Sequence, residues 1–323
     1  MGLELRSPII AGSCGLTSDV EKMVEMEKAG VGAVVLKSIF EEQINEETSG
    51  VFKAGYGMGD AYPEAEDYIK AYIRSNTIQK YVELVRNAKS RLTIPVIASV
   101  NCFSGGEWVS FARQLEEAGA DALELNVFIL PVNEFKESAE VENVYFEIVK
   151  SIKSQIKIPV SVKISHYFTN LSAFVDKIKA YGANATTLFN RFYEPDININ
   201  TLEMGAASVF STAAELRTTL RWTGILAGKD KKLEISASTG VHGGEAAVKL
   251  LLAGATTVQV CSVLYEKGIH VIEDINNFIG KWMDSKAFKT IGDYRGMLSY
   301  SSIENPDLYE RAQFMKYFSN KQY

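Results

Sequence analysis

The chain has 323 residues, long enough for two average domains and equally ordinary for one large α/β barrel. It is 46% hydrophobic and 23% charged, the balance of a globular protein with a sizeable core. A formal net charge of −6 removes the electrostatic reason to expect nucleic acid or an anionic membrane as partner, and the short basic run Lys229-Asp230-Lys231-Lys232 reads as solvated loop charge.

In chain order, a first strand is expected over 8–11 and a helix over 19–28. Lys28-Ala29-Gly30 then turns the chain into a strand at Ala33-Val34-Val35-Leu36. A helix at 77–91 precedes a strand at 94–100, and a helix at 107–117 ends in Glu117-Ala118-Gly119 before the strand Ala122-Leu123-Glu124-Leu125. A helix at 141–154 leads to a strand at 158–164. A helix at 171–180 turns through Ala180-Tyr181-Gly182 into the strand Thr186-Thr187-Leu188-Phe189. Helix 212–223, strand 233–237 and helix 244–252 follow. Leu252-Ala253-Gly254 then feeds the strand Thr257-Val258-Gln259-Val260, and a helix at 263–283 closes the pattern. The recurring small-residue and Gly turn supplies a left-handed helix cap, and the strand after it is largely apolar on both faces, as a buried parallel strand requires.

Eight strands alternating with eight helices argue for a single-domain TIM (β/α)8 barrel, with an open doubly wound sheet as the competing arrangement. Three stretches exceed the minimal unit: the Tyr/Gly-rich acidic 41–76, then 128–139 and 191–211. Long loops of this kind suit lids over a barrel mouth. A Tyr- and Phe-rich tail of about 40 residues suits a helical closure on the outside.

Cys14, Cys102 and Cys261 lie far apart, with no CxxC and no basis for a disulfide framework, which favours a reducing compartment. Residues 1–6 carry no charged-then-apolar leader, and Arg6 takes the place of the hydroxyl that a myristoylation signal needs. No apolar run approaches the roughly 20 residues that span a bilayer. The expected location is the cytoplasm. His166, His242 and His270 show no HExxH or paired-ligand spacing, so no metal site is expected. No GxSxG elbow marks a serine hydrolase; the nearest match, Gly12-Ser13-Cys14-Gly15, reads as a turn.

Barrel active sites gather at the C-terminal ends of the strands, with phosphate usually held after the seventh and eighth. There the chain reads Ser238-Thr239-Gly240-Val241-His242-Gly243-Gly244 before a helix, and Cys261-Ser262 after the last strand. Glycine lets backbone N–H groups approach an anion, and a helix N-terminus adds a favourable dipole; a tight turn without ligand is the plainer alternative. Lys37 and Lys163 end apolar strand runs, where a cation is costly to bury without an anion or ring to meet. Asn126 and Asn190 end two further strands and offer donors and acceptors suited to a ring with alternating C=O and N–H groups. Each of the four could instead snorkel or cap a loop.

Taken in order, Ile9-Ile10-Ala11-Gly12-Ser13, Leu36-Lys37-Ser38, Glu124-Leu125-Asn126, Val162-Lys163-Ile164, Leu188-Phe189-Asn190, the 238–244 loop and Cys261-Ser262 resemble the dihydroorotate dehydrogenase family. The likeness runs from about residue 7 to about residue 282 and is nearest to the soluble class without a membrane-anchoring helix. It implies an FMN-binding barrel that oxidises a dihydropyrimidine, a small-molecule substrate that could carry a carboxylate, and a homodimer. Gly12, Ser13, Lys37 and Ser38 would lie along the flavin, and Lys163 near its N1/O2 end, where a cation stabilises the reduced ring. Asn126 and Asn190 would contact substrate and flavin. Thr239, Gly240 and Ser262 would hold the phosphate, with Ser238 and Cys261 beside them.

Four departures accompany the resemblance. The family's proton-abstracting Cys or Ser falls here on Ile129 or Leu130, and neither accepts a proton. Arg191 follows Asn190 where the family has a small hydroxyl residue; its guanidinium could grip a substrate carboxylate, or bind Glu194 or Asp196. The Gly-rich flavin loop is replaced around 206–211, and an asparagine-bearing segment survives only as Ala61-Tyr62-Pro63-Glu64-Ala65. His166 or Glu134 could act as a substitute base. Two other functions stay open: a flavin-binding protein without dehydrogenase chemistry, and a flavin-free phosphate-binding lyase or isomerase.

Overall fold

Strand pairing closes a ring. The structure, a computed structural model, describes residues 1–40, 63–101, 105–191 and 194–310; residues 41–62 of the first expected lid and Cys102 lie outside them. In chain order the strands are β1 Ile9–Ala11, β2 Ala33–Val35, β3 Ile39–Phe40, β4 Val96–Asn101, β5 Ala122–Asn126, β6 Val160–Ile164, β7 Ala185–Leu188, β8 Pro195–Asn198, β9 Glu203–Ala206, β10 Glu234–Ala237 and β11 Thr257–Val260. Eight of them pair in parallel as β1-β2-β4-β5-β6-β7-β10-β11, and β11 returns to β1, which makes the expected (β/α)8 barrel. β3 resumes the line of β2 against β4 after a break at Leu36–Ser38.

The helices are α1 Val20–Lys28, α2 Pro63–Arg91, α3 Gly105–Glu117, α4 Ser138–Lys153, α5 Leu171–Ala180, α6 Leu216–Lys229, α7 Gly244–Ala253, α8 Ser262–Lys267 and α9 Val271–Ser285. The repeat's turn behaves as its composition demands. Gly254 takes φ 119 at the end of α7, and its N–H returns to the Leu250 and Leu251 carbonyls.

Alternate strand residues fill the barrel in layers. Ile10, Ala33, Val35, Ile97 and Ala122 form an apolar floor, packed by Met1, Leu3 and Leu5. Glu124 of β5, Thr187 of β7 and Gln259 of β11 belong to non-adjacent strands and still bond one another across the interior. The larger core lies between the outer faces of the strands and the helices.

Several expectations change. Residues 63–76 are helix, as the first half of α2, and not loop. The helix-breaking residues Gly55, Gly57 and Gly59 all precede Pro63, which occupies the first helical position, where its missing N–H does no harm. The expected 263–283 helix breaks into α8 and α9 at Gly268, with φ 86. Within 191–211 the antiparallel hairpin β8–β9 stands out with both strands exposed. Residues 286–310, the described part of the expected closure, run through short 3-10 turns at Ile291–Asp293 and Pro306–Leu308; residues 311–323 lie outside the described residues. Tyr309 and Tyr300 fill space against Gly224 and Gly228 of α6, where a Cβ would come within 2.2 and 2.7 Å of them. No described helix is long and apolar enough to cross a membrane.

Candidate active site

Parallel register puts Asn126 beside Lys163 and Lys163 beside Thr187 at the C-terminal ends of β5, β6 and β7. Asn126 and Lys163 are buried, and Asn190 donates from Nδ2 to Asn126 Oδ1 at 2.8 Å. Lys163 Nζ lies 3.8 Å from Glu124 Oε1, and both side chains are almost fully buried. The other oxygen, Oε2, accepts from Thr187 Oγ1 at 3.0 Å and Gln259 Nε2 at 2.9 Å, while Glu124 Oε1 and Gln259 Oε1 have no hydrogen-bond partner. A buried carboxylate is tolerated when paired, so Lys163 both answers Glu124 from below and presents a cation upward.

On the β1–β2 side the hydroxyls run in a chain. Ser38 N–H donates to Ser13 Oγ at 2.8 Å, and the Ser38 hydroxyl meets those of Ser13 at 3.0 Å and Ser99 at 2.7 Å. Tyr81 Oη anchors the far end, donating to the Ser99 carbonyl and accepting its N–H; burial pushes that phenol well above its ordinary range. Gly12 has no room for a side chain, since a Cβ would stand 2.6 Å from Cys261 Sγ. Lys37 is exposed at the break between β2 and β3.

The loops after β10 and β11 form the third wall. Thr239 and Gly240 both take positive φ, 77 and 79, and a Cβ on Gly240 would fall 2.2 Å from the Leu216 nitrogen. Gly243 caps α7 without a side-chain bond, so the first N–H groups of that ten-residue helix are open to an anion. Ser211 ties these loops together. Its hydroxyl accepts the Gly240 N–H at 3.4 Å, donates to Ser262 Oγ at 3.1 Å and lies 3.3 Å from His242 Nε2, and its own N–H donates to Ser262 Oγ at 2.9 Å. His242 Nδ1 is in turn 3.1 Å from Glu266 Oε2.

A cavity of about 170 Å³ collects Ser13, Lys163, Asn190, Ser238, Gly240 and Ser262, and is also lined by Arg191, Thr239 and Cys261. Gly12, Lys37, Ser38 and Asn126 do not line it, although Gly12 touches Cys261, Ser38 bonds Ser13 and Asn126 bonds Asn190, all three of which do. Sequence reasoning missed Glu124 and Gln259 as the buried support of Lys163. The signal was present: both are polar residues inside apolar strand runs. For Ser211 and the His242–Glu266 pair no local signal exists.

Arg191 is engaged within the chain. Nε donates to Glu215 at 3.1 Å, Nη2 to Glu194 at 3.2 Å and Nη1 to the Val209 carbonyl at 3.1 Å. Of its expected internal partners Glu194 is engaged, and Glu215 takes the place expected for Asp196, while Arg191 still lines the cavity. Ile129 lines a neighbouring cavity of about 310 Å³ together with Glu134, Tyr145 and Ser165, and Leu130 is 51% exposed. Neither His166 nor Glu134 lines the cavity that holds Lys163. His166 stands edge-on to Phe189 with ring centroids 5.8 Å apart, and burial lowers its pKa from the ordinary imidazole value. No group of three or more metal-ligating side chains occurs among the described residues.

Residues 1–283 match the protein-family model described as Dihydroorotate dehydrogenase. The catalytic subunit named Dihydroorotate dehydrogenase B (NAD(+)) of Thermoplasma acidophilum is 30% identical over 92% of this chain and 96% of its own length. Its Thermoplasma volcanium namesake is 27% identical over 92% and 96%, and the putative dihydroorotate dehydrogenase A (fumarate) of Aeropyrum pernix is 27% identical over 91% and 94%. A family match over residues 1–283 and a relative 30% identical over 92% of this chain mean that the chain belongs to the dihydroorotate dehydrogenase family.

Proposed function

We propose that this chain is an FMN-dependent oxidoreductase that removes two hydrogens from a reduced ring of the dihydroorotate type. One observation carries the reading: a buried lysine, an asparagine pair and a glycine–hydroxyl loop from opposite ends of the sequence converge on one barrel mouth. The residues fit the cofactor. Gly240 N–H, Thr239, Ser211, Ser262 and the open N-terminus of α7 would hold the phosphate, while Ser13, Lys163 and Asn190 would meet the ring. When bound, FMN supplies the hydride acceptor.

The chain's own residues do the remaining work. Glu124 pairs with Lys163 from below and holds its ammonium toward the mouth, where it favours an anionic or carbonyl partner. Asn126 fixes the Asn190 amide by accepting from Nδ2, which leaves the Asn190 carbonyl oxygen to orient a ring N–H. Ile129 and Leu130 hold no proton, so the proton leaving the substrate ring goes to solvent or to a group the substrate brings. A positioned base is worth roughly 10² to 10⁴ in rate, and dihydroorotate turnover is expected to be slower by that order than in relatives with a Cys or Ser base.

Anaerobic titration of the purified protein with dihydroorotate, followed by visible absorbance, tests the reading. Yellow protein that bleaches slowly and completely supports it; colourless protein that refuses added FMN overturns it. The working form is proposed to be a cytoplasmic homodimer. Two free thiols suit a reducing compartment, and the hairpin β8–β9 offers Ile197, Leu202 and Met204 at 60, 85 and 68% exposure for burial against a second copy. Sedimentation at micromolar concentration measures the oligomer directly.

A further inference from the structure

Cys14 and Cys261 are far apart in the chain and adjacent in space. Ala11 pairs with Val260 across β1 and β11, so Gly12 and Cys261 leave the barrel side by side. Cys261 Sγ lies against the Gly12 position and reaches the Ser13 carbonyl at 3.9 Å, one residue from Cys14. Cys14 follows Ser13 directly in the chain, and both cysteines are free and half-buried. Cys14 also directly precedes the short 3-10 helix Gly15–Ser18, where the Leu16 N–H donates to the Tyr265 hydroxyl at 3.2 Å and the Thr17 N–H to the Cys14 carbonyl at 3.1 Å.

We propose that Cys14 and Cys261 are a peroxide-sensitive thiol pair at the rim of the cavity, closing reversibly to a disulfide. The environment divides their roles. The Cys261 contact, helped by the Leu16 and Thr17 N–H groups and Tyr265 and opposed by burial, holds Cys14 below the ordinary thiol range. The same contact, burial and the Cys14 charge push Cys261 up, with Lys163 opposing and Glu124 reinforcing. A partly exposed thiolate beside a protonated thiol is the arrangement of an attacking and a resolving cysteine. The Cys14 thiolate attacks one oxygen of a hydroperoxide; the O–O bond breaks and hydroxide or alkoxide leaves, giving a sulfenic acid. Cys261 then loses its proton and attacks that sulfur, the S–O bond breaks, and water departs. Two thiols and one peroxide become one disulfide, one water and a second water or an alcohol.

The test reads the thiols, with or without flavin, and so is separate from the proposed function. Full-length protein is treated with hydrogen peroxide at neutral pH, alkylated and mapped by peptide mass spectrometry. The expected product is a Cys14–Cys261 cross-link that dithiothreitol removes, with Cys102 left alkylated as a monomeric peptide. In Cys261→Ser, dimedone should label Cys14, because the sulfenic acid has no resolving partner. Without oxidant, Cys14 should alkylate at pH 7 about tenfold faster than an ordinary thiol. Peroxide that consumes Cys14 and Cys261 without linking them, or a Cys14 that reacts no faster than a free cysteine, would falsify the pair.

Discussion

On the β10–β11 side of the barrel mouth, the donors are backbone N–H groups and short hydroxyls. Gly240 is pressed against Leu216, Ser262 is bonded to Ser211, and the loop leads straight into α7. On the β5 side, residues 127–137 run without helix or strand, and Leu130, Val132 and Phe135 are 51, 79 and 85% exposed. The first wall is built from strand pairing and steric exclusion, so few side chains can change there without disturbing the barrel. The second is a loop that is largely exposed beyond the buried Val127 and the partly buried Ile129, and it is where the proposed base position falls on Ile129 or Leu130. The proposed cofactor grip and the proposed base position therefore sit on parts of the structure with different freedom to vary.

The largest effect should come from restoring the loop. Ile129→Cys and Leu130→Cys, made separately, should between them identify one position where anaerobic bleaching by dihydroorotate speeds up by roughly 10² to 10⁴. Stopped-flow absorbance checks it, and no gain at either position means that the loop is not the missing element. Next is Lys163→Ala, expected to slow flavin reduction by about 10²- to 10³-fold through loss of a cation aimed at developing charge. It also leaves Glu124 buried and unpaired, costing on the order of 3 kcal/mol. Adding Glu124→Gln should recover part of that stability in urea unfolding but none of the reduction rate, which separates the pair's structural and chemical parts.

Gly240→Ala probes the rigid wall. A side chain there meets both a positive φ and the Leu216 backbone, so about 2 kcal/mol of stability and most flavin retention should go, read by thermal melting and the flavin-to-protein absorbance ratio. The smallest effect belongs to the opposite end of the barrel. Burial raises the Glu27 carboxyl pKa, but the Thr93 hydroxyl and the Thr93 and Ile94 N–H groups outweigh that and leave it below 4.5. A depressed folded-state value stabilises above the unfolded pKa, and that contribution fades as pH falls through the folded one. Glu27→Gln should therefore cost under about 1 kcal/mol at pH 7 and progressively less as the pH falls, with flavin reduction unchanged. A change in reduction rate would show that the two ends of the barrel are coupled.

Much of this was legible in the chain. The four Gly-ended repeats located strands and helices because a left-handed cap and an apolar run leave few conformations open. Asn126, Lys163 and Asn190 could be singled out because each follows a run of apolar strand residues, where a polar side chain must have a partner. The limits of 41–76 as loop were misjudged because aromatic and glycine content near its start coloured the whole stretch, although 63–76 contains ordinary helix formers. Ser211 gave no sign: its role arises only where Gly240 and Ser262 flank it.

The order of apolar runs, turns and caps was enough by itself to specify eight β/α units, since each is a local choice of period and chain reversal. Closing β11 onto β1 is what brings Cys14 to Cys261 and Glu124 to Gln259. Those pairings depend on which strand ends share one mouth, and no separation along the chain encodes that until the ring is shut.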